Sequence, residues 1–579
     1  MPWEFTCRPV VRGMAGAVTA GHYLAAAAGF SVMASGGNAV DAAVAAGLAE
    51  SLVEPNQNGL GGENPMIIWP AGSEEPVVLS GQGAAPQALD IAALRGMGVA
   101  AIPGDGYLPA CVPAAVSTYL TALMEYGTKT LAEVAAPALR FARDGFPVAV
   151  GLAESIAGIA GRCRAEWPSS ARTYLDADGS APALGDVLRN LDWAATVDAL
   201  VRAESEAGGQ RLSGLERAHA AFYEGEVADR LGDALAGAES QDASGASHAP
   251  LISAKDLASH GTRIETPVSF TFGDATVFKC DAWSQGPVFL QQLALLAGFD
   301  LAGFGHNSSD YLHTFIECAK LAFADRERFY GDPLFADVPM ETLLSDDYND
   351  RQRAFIIPDA AIRVPLWDST PAPLTAPAPG PKPFGGDTTH VDAADASGLM
   401  VSLTPSGGWL MSSPVLRGLG FPLGTRAQMF SLNPGHPNVL EPGKRPRTTL
   451  TPSMAVMPDG SRLAFGTPGG DGQDQWTVQF LLNHLLFGMD LQTAIEAPTV
   501  HSRHFPSSFY PHTAFPGSLV AESRIPRAIL DALRGKGHDV TVCGPWENGR
   551  ASAIAWDSQY GRLSAAASPR HETAYAIAW

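Results

Sequence analysis

The order of apolar and polar positions divides the chain into recognisable elements. From Ala39 to Leu52 the run AVDAAVAAGLAESL is apolar on almost every face, the pattern of a buried helix, and Asn38 is placed to cap it. The Gly-rich stretch PNQNGLGGENP follows as a turn and leads into an apolar strand, MIIW. Residues 112–145 hold two further helical patterns, the second stopped by Gly145 and Pro147. VSFTFGDATVFKC alternates with period two and turns near Gly273-Asp274, as a hairpin does. Between 309 and 330 the residues Tyr311, Leu312, Phe315, Ile316, Ala319 and Phe323 recur at helical spacing and predict an amphipathic helix. Ser309 is its expected cap and Gly331-Asp332-Pro333 its end. DTTHVDAADASGLMVSLTPS predicts a strand, a turn at Asp395–Gly398 and a second strand.

Two stretches break this pattern. Residues 235–250 are polar and low in complexity, which predicts a surface insertion. Residues 365–386 are dense in Pro, Ala and Gly and fit no regular element, yet they run directly into an apolar strand. That composition suits either a linker between two domains or a leader released by cleavage.

Composition narrows the class. Of 579 residues, 46% are hydrophobic and 17% charged, enough to build a large globular core. The formal net charge of −22 repels phosphate backbones, so no nucleic-acid partner is expected. The six cysteines are scattered, without a CxxC pair or zinc-site spacing, and read as buried thiols in a reducing compartment. The uncharged stretch between Arg12 and Asp41 imitates a signal peptide. It is rich in Ala and Gly, holds His22 and lacks a Leu-rich run, so a first core helix is the better reading. No later segment reads as a membrane span, and the expectation is a soluble, cytoplasmic protein that uses no membrane.

The chemistry concentrates at Thr388-Thr389-His390, after Gly385-Gly386-Asp387. A threonine hydroxyl is a weak nucleophile without an adjacent base. Breaking the peptide bond between Asp387 and Thr388 would create an α-amine on the same residue, able to take the hydroxyl proton directly or through a water. An α-amine titrates near pH 8 (about 7.7–8.0), so part of it is neutral at physiological pH. One residue then supplies nucleophile and base, and neither a metal nor an organic cofactor is needed. His390, on a buried strand, reads as structural. Gly59-Leu60-Gly61-Gly62 lacks the spacing and the Lys of a phosphate loop. Asp176-Ala177-Asp178-Gly179 is a fragment of a calcium-loop pattern and reads as a turn.

Together these residues resemble the γ-glutamyltransferase family of N-terminal-nucleophile hydrolases. The resemblance runs through GGNAVDAAVAAGLAESLVEP (36–55), NGLGGENPM (58–66), EYGTKTLAEVAAPALRFARDGFPV (125–148), AFYEGEVADRL (221–231) and ADRERFYGDP (324–333). It continues in DTTHVDAADASGLMVSLT (387–404), PGKRPRTTLTPSM (442–454) and FGTPGGD (465–471). It implies an α/β fold, a four-layer αββα sandwich, made as one precursor and split into interlocked subunits, residues 1–387 and 388–579, which could dimerise further. The flexible leader would occupy about 365–387. It also implies roles: Thr388 as nucleophile, Thr404 as its supporting hydroxyl, and Gly469 and Gly470 as the oxyanion loop. Thr448 and Thr449 match the family's hydroxyl pair at the substrate.

The substrate half departs from the family. An Arg is expected soon after Ala85-Pro86, but QALDIAAL follows and the first Arg is Arg95. The family's Asn after the supporting threonine falls at or near Gly408, and its ammonium-binding acid near Met429. Arg426 appears instead, where a guanidinium could fork onto a substrate carboxylate or pair with a nearby acid on the surface. The pattern resembles the branch that includes oxamate amidohydrolase, and implies hydrolysis of a small-molecule amide with a small acidic acyl part. Hydrolysis or transfer of glutathione-like γ-glutamyl groups is the alternative within the enzyme class, with β-lactam side-chain acylase activity behind it. An unprocessed, inactive binding protein is the alternative outside it.

Overall fold

The computed structural model describes residues 5–366 and 388–579. Asp387 and most of the Pro/Ala/Gly-rich leader, 367–387, lie outside the described residues.

Two seven-stranded antiparallel sheets organise the described residues. In the first the order is Val11–Gly13, Arg562–Ala567, Ser552–Asp557, Arg462–Gly466, Ser453–Val456, Ala275–Lys279, Val268–Phe272. In the second it is Tyr575–Ala578, Gly16–Ala20, Val391–Asp395, Met400–Leu403, Met66–Trp69, Val77–Leu79, Ile264–Glu265. Strands of this kind, buried on both faces, have near-continuous apolar runs such as MIIW. Three cores account for the layers. Trp69, Phe278, Met400, Met454, Ile554 and Leu563 fill the space between the sheets. A second core joins the outer face of one sheet to the Ala-rich helices, and a third joins the other sheet to Gly286–Leu296, Ser309–Phe329 and Gln473–Leu485. The architecture is therefore the αββα sandwich.

The Ala39–Val53 helix is buried along its whole length. Asn38 caps it through a reciprocal box with Asp41, whose carboxylate also accepts from Thr128 N and Lys129 N at 3.0 Å each. Small residues let it lie close against the Tyr23–Ala34 helix: a Cβ on Gly29 would sit 2.8 Å from the Ala42 carbonyl oxygen. The single helix expected over the uncharged N-terminal stretch is divided. Gly16–Ala20 is a strand, paired with Val391–Asp395, and His22 is extended and caps the helix that begins at Tyr23 by accepting from Leu24 N. An alternation too short to stand out in an Ala-rich run hid the strand.

The helix expected near 309 spans Ser309–Phe329, but Ser308 caps it, accepting from Tyr311 N at 3.1 Å. It is also less amphipathic than its spacing predicts. From Tyr311 to Arg326 every residue is buried, and its charges have partners, as Lys320 with Glu317 at 2.6 Å. Residues 235–250 form a small hairpin, Ser240–Gln241 against Ser247–His248, held down by the Trp167 indole donating to Ser240 Oγ at 3.1 Å. All six cysteines are free, four of them buried, with Cys7 exposed and Cys543 half-buried. No described helix is long and apolar enough to cross a membrane.

Candidate active site

Thr388 stands at the inner end of the second sheet, one bridge ahead of the Val391–Asp395 strand. It pairs with Ser406, just past the neighbouring strand Met400–Leu403. Its side chain is buried, and its Oγ1 lies 3.1 Å from Ser406 Oγ. Ser406 Oγ also accepts a short hydrogen bond from the Arg426 guanidinium, whose Nε donates to Glu63. The nucleophile expected from the sequence is thus joined to the expected substrate arginine through one serine hydroxyl.

Arg426 lies in a short 3₁₀ turn, Arg426–Met429, and is fully buried. The acid it pairs with is Glu63, in the core of the molecule and not on its surface. Burial pushes the Glu63 carboxyl up, and the Arg426 guanidinium pulls part of that shift back. The guanidinium lies over the Trp409 and Phe509 rings at 4.9 and 5.7 Å from their centroids. Its Nη1 is buried without a hydrogen-bond partner among the described residues, and so is Thr449 Oγ1.

The Gly469-Gly470 turn follows the strand Arg462–Gly466. Both glycines take positive φ, 120° and 56°. A Cβ on Gly469 would stand 2.2 Å from the Trp476 ring, so no side chain fits there. Asp471 fixes the turn by accepting from Ser508 N at 2.9 Å, from Ser508 Oγ at 2.6 Å and from Arg326. That places Phe509, the ring beside Arg426, against Gly470. Gln285 links the turn to the threonine pair, donating from Nε2 to the Gly470 carbonyl at 3.2 Å and from its backbone N to the Thr448 carbonyl at 2.8 Å.

Thr404 is connected differently. Its Oγ1 lies 3.0 Å from His390 Nδ1, and His390 Nε2 lies 2.8 Å from Asp392 Oδ1. Beside Thr388, Thr389 and His390 is a cavity with room for about one water molecule, bordered by Glu54, Arg550 and His571. Behind Glu54, Glu50 lies one helical turn earlier and interacts with it. Burial and the neighbouring Glu54 push Glu50 well above the carboxylate range; for Glu54 burial also pulls upward, but His571 and His22 bring it below.

The residues missing from the family pattern are explained by packing. Gly408 has φ 60°, and a Cβ there would come within 2.9 Å of Gly62 N. Met429 is a buried thioether, and Arg95 is exposed at the end of the Ile91–Gly96 helix. Gly59, Gly61 and Gly62 serve close packing: Cβ atoms on them would lie 2.1–2.5 Å from the carbonyl oxygens of Gly408, Pro422 and Ser406. Sequence reasoning missed Ser406, Glu63, Trp409, Phe509 and Asp392; an acid directly after the Gly-rich turn, and a serine two residues past Thr404, were the available signals. One group of potential metal ligands occurs among the described residues, His313, Glu317 and His538. There the Lys320 ammonium already neutralises the carboxylate at 2.6 Å.

A sandwich of this kind, with a threonine just ahead of a central strand, is the architecture of an N-terminal-nucleophile hydrolase. The family model for gamma-glutamyltranspeptidase matches residues 25–578, and the chain belongs to that family of enzymes. It is 30% identical to a glutathione hydrolase-like YwrD proenzyme of Bacillus subtilis, over 96% of this chain and 97% of the relative. It is 31% identical to the oxamate amidohydrolase proenzyme of Klebsiella pneumoniae, over 97% and 98%. Among solved structures, LmbA2991HD superposes with a TM-score of 0.93 at 42% identity, covering 99% of this chain and 100% of that one. The cephalosporin acylase of Bacillus halodurans superposes with a TM-score of 0.83 at 28% identity, covering 100% and 98%.

Proposed function

We propose that the chain is a proenzyme cleaved between Asp387 and Thr388, and that the freed Thr388 hydrolyses the amide bond of a small molecule with a short, acidic acyl part. The Thr388 α-amine takes the hydroxyl proton and Oγ1 attacks the amide carbonyl. The developing oxyanion is met by N–H groups of the Gly469-Gly470 turn, a type of donor whose loss costs about 100–1000-fold in rate. The C–N bond breaks as the amine leaves with the proton from the α-ammonium. Water, deprotonated by the same amine, then cleaves the threonyl ester and releases the acid.

One observation carries the substrate class: Arg426 Nη1 and Thr449 Oγ1 are both buried and unpartnered among the described residues, at positions expected to face the substrate. A buried donor without an acceptor costs about 1–3 kcal/mol, more when charged, and a substrate carboxylate is the kind of acceptor each lacks. Relatives named oxamate amidohydrolase and cephalosporin acylase support the same reading. The glutathione-type alternative brings an α-ammonium into the site, and Met429 offers that cation no charge.

The test compares oxamate, glutaryl-p-nitroanilide and γ-glutamyl-p-nitroanilide. The first two carry a carboxylate without an ammonium and are expected to turn over; preference for the third would restore the glutathione-type reading. Arg426→Lys keeps the charge and loses the planar fork, so KM for the glutaryl anilide should rise by about tenfold or more, with acetyl-p-nitroanilide little affected. Equal changes on both anilides would remove Arg426 from the substrate site.

A further inference from the structure

We infer that Asp392 and His390 form a positioning relay that fixes the hydroxyl of Thr404 as a hydrogen-bond acceptor toward Thr388; this rests on Thr388 being the nucleophile. The Asp392 carboxylate is fully buried and both of its oxygens are engaged. Oδ1 faces His390 Nε2 at 2.8 Å, and Oδ2 accepts from Thr19 Oγ1 and Ser552 Oγ at 3.0 Å each. A carboxylate accepts and does not donate, so Nε2 carries the proton. In the neutral imidazole Nδ1 is then an acceptor, and the hydroxyl 3.0 Å away, Thr404 Oγ1, donates to it. With its only proton committed to His390, Thr404 Oγ1 has lone pairs alone to offer elsewhere, and these suit the N–H groups of a freed α-ammonium.

The surroundings hold this tautomer in place. His390 lies against Gly466, where a Cβ would stand 2.3 Å from the ring, so only glycine admits the imidazole at the end of the strand that leads to Gly469-Gly470. Ser552 pairs with that same Gly466, and Thr19 pairs with Asp392. The relay therefore bridges both sheets, and it joins the nucleophile strand to the strand that carries the oxyanion turn.

Asp392→Asn is the direct probe, because an amide facing Nε2 no longer selects one tautomer. With the two-subunit enzyme and glutaryl-p-nitroanilide, kcat is expected to fall by about one to two orders of magnitude, the range for losing one charge-assisted hydrogen bond, with KM unchanged. The acidic limb of the kcat/KM profile should move to lower pH, since Thr404 would no longer favour the ammonium form of Thr388. A double-mutant cycle separates positioning from structural support. If the relay acts through Thr404, Asp392→Asn costs nothing further in a Thr404→Val background. Multiplying effects, or an unchanged pH profile, overturn the proposal. Should Asp392→Asn fail to mature, Ser552→Ala, which keeps the charge and removes one donor to it, enters the same cycle under the same criteria. A wild-type chain that never divides would sink the nucleophile assignment itself, a different failure from multiplying effects in an active enzyme.

Discussion

Ser406 shares its hydroxyl between Thr388 at 3.1 Å and the Arg426 guanidinium, so the proposed nucleophile and the cation are coupled through one side chain. The proposed reaction needs a β-hydroxyl at residue 388 and nothing else of threonine. Thr388→Ala should give one uncut chain without amidase activity, and Thr388→Ser should still divide, more slowly, as followed by denaturing gel over hours. Normal cleavage of the alanine variant would move the nucleophile elsewhere, and a serine variant that never cleaves would count against attack by the side-chain oxygen. At this scale the sequence singled out residues whose type the proposed chemistry dictates: Thr388 as nucleophile, and Gly469 and Gly470 as the oxyanion turn. It was not readable at Glu63, Ser406 and Asp392. Their meaning comes from partners brought close only by folding, as Glu63 meets Arg426 across 363 positions of sequence. Arg426 was singled out as a candidate where the family's substrate anchors are missing, while its burial and its acid partner depended on packing.

The Ser309–Phe329 helix connects these residues to the core. Arg326 reaches from it to Asp471 beside the glycine turn, and Glu327 accepts from the guanidinium of Arg447, the residue before Thr448, at 2.8 Å. Burial alone would raise the Glu327 carboxyl, but Arg447, Arg326 and His436 outweigh it and hold it at about 2, against an ordinary 4.5. A carboxyl depressed in the folded state stabilises above its unfolded value and loses that contribution as pH falls between the two, here from 4.5 toward 2. The loss is on the order of 3 kcal/mol. Glu327→Gln should therefore lower stability near pH 7 by a similar amount, because the buried Arg447 loses its ion-pair partner and Arg326 one of its two, and should flatten the decline below pH 4.5. Urea midpoints at pH 7 and pH 3.5 check this; equal sensitivity to acid in both proteins would contradict it. The existence of this helix was legible from its apolar spacing. Its burial on nearly every face was not, because the charged residues that suggested a solvated side are neutralised by partners far along the chain, such as Asp471.

Across the molecule, the second sheet is built from both sides of the leader: Val391–Asp395, just after Thr388, pairs with Gly16–Ala20 from near the start, and Gly16–Ala20 pairs in turn with Tyr575–Ala578. A chain divided before Thr388 would stay together, since the two pieces share both sheets and the core between them. The hydrophobic pattern predicted the central strands Val391–Asp395, Met400–Leu403 and Met66–Trp69, whereas Gly16–Ala20 was concealed within an Ala-rich run and Tyr575–Ala578 was not predicted. The central claim is that this sandwich cuts its own chain to expose Thr388, and the intact mass of the purified protein under denaturing conditions tests it most directly. Two species whose masses correspond to residues 1–387 and 388–579, eluting as one particle under native conditions, are the predicted result. A single full-length species that persists on incubation, or a division at any other bond, would contradict it.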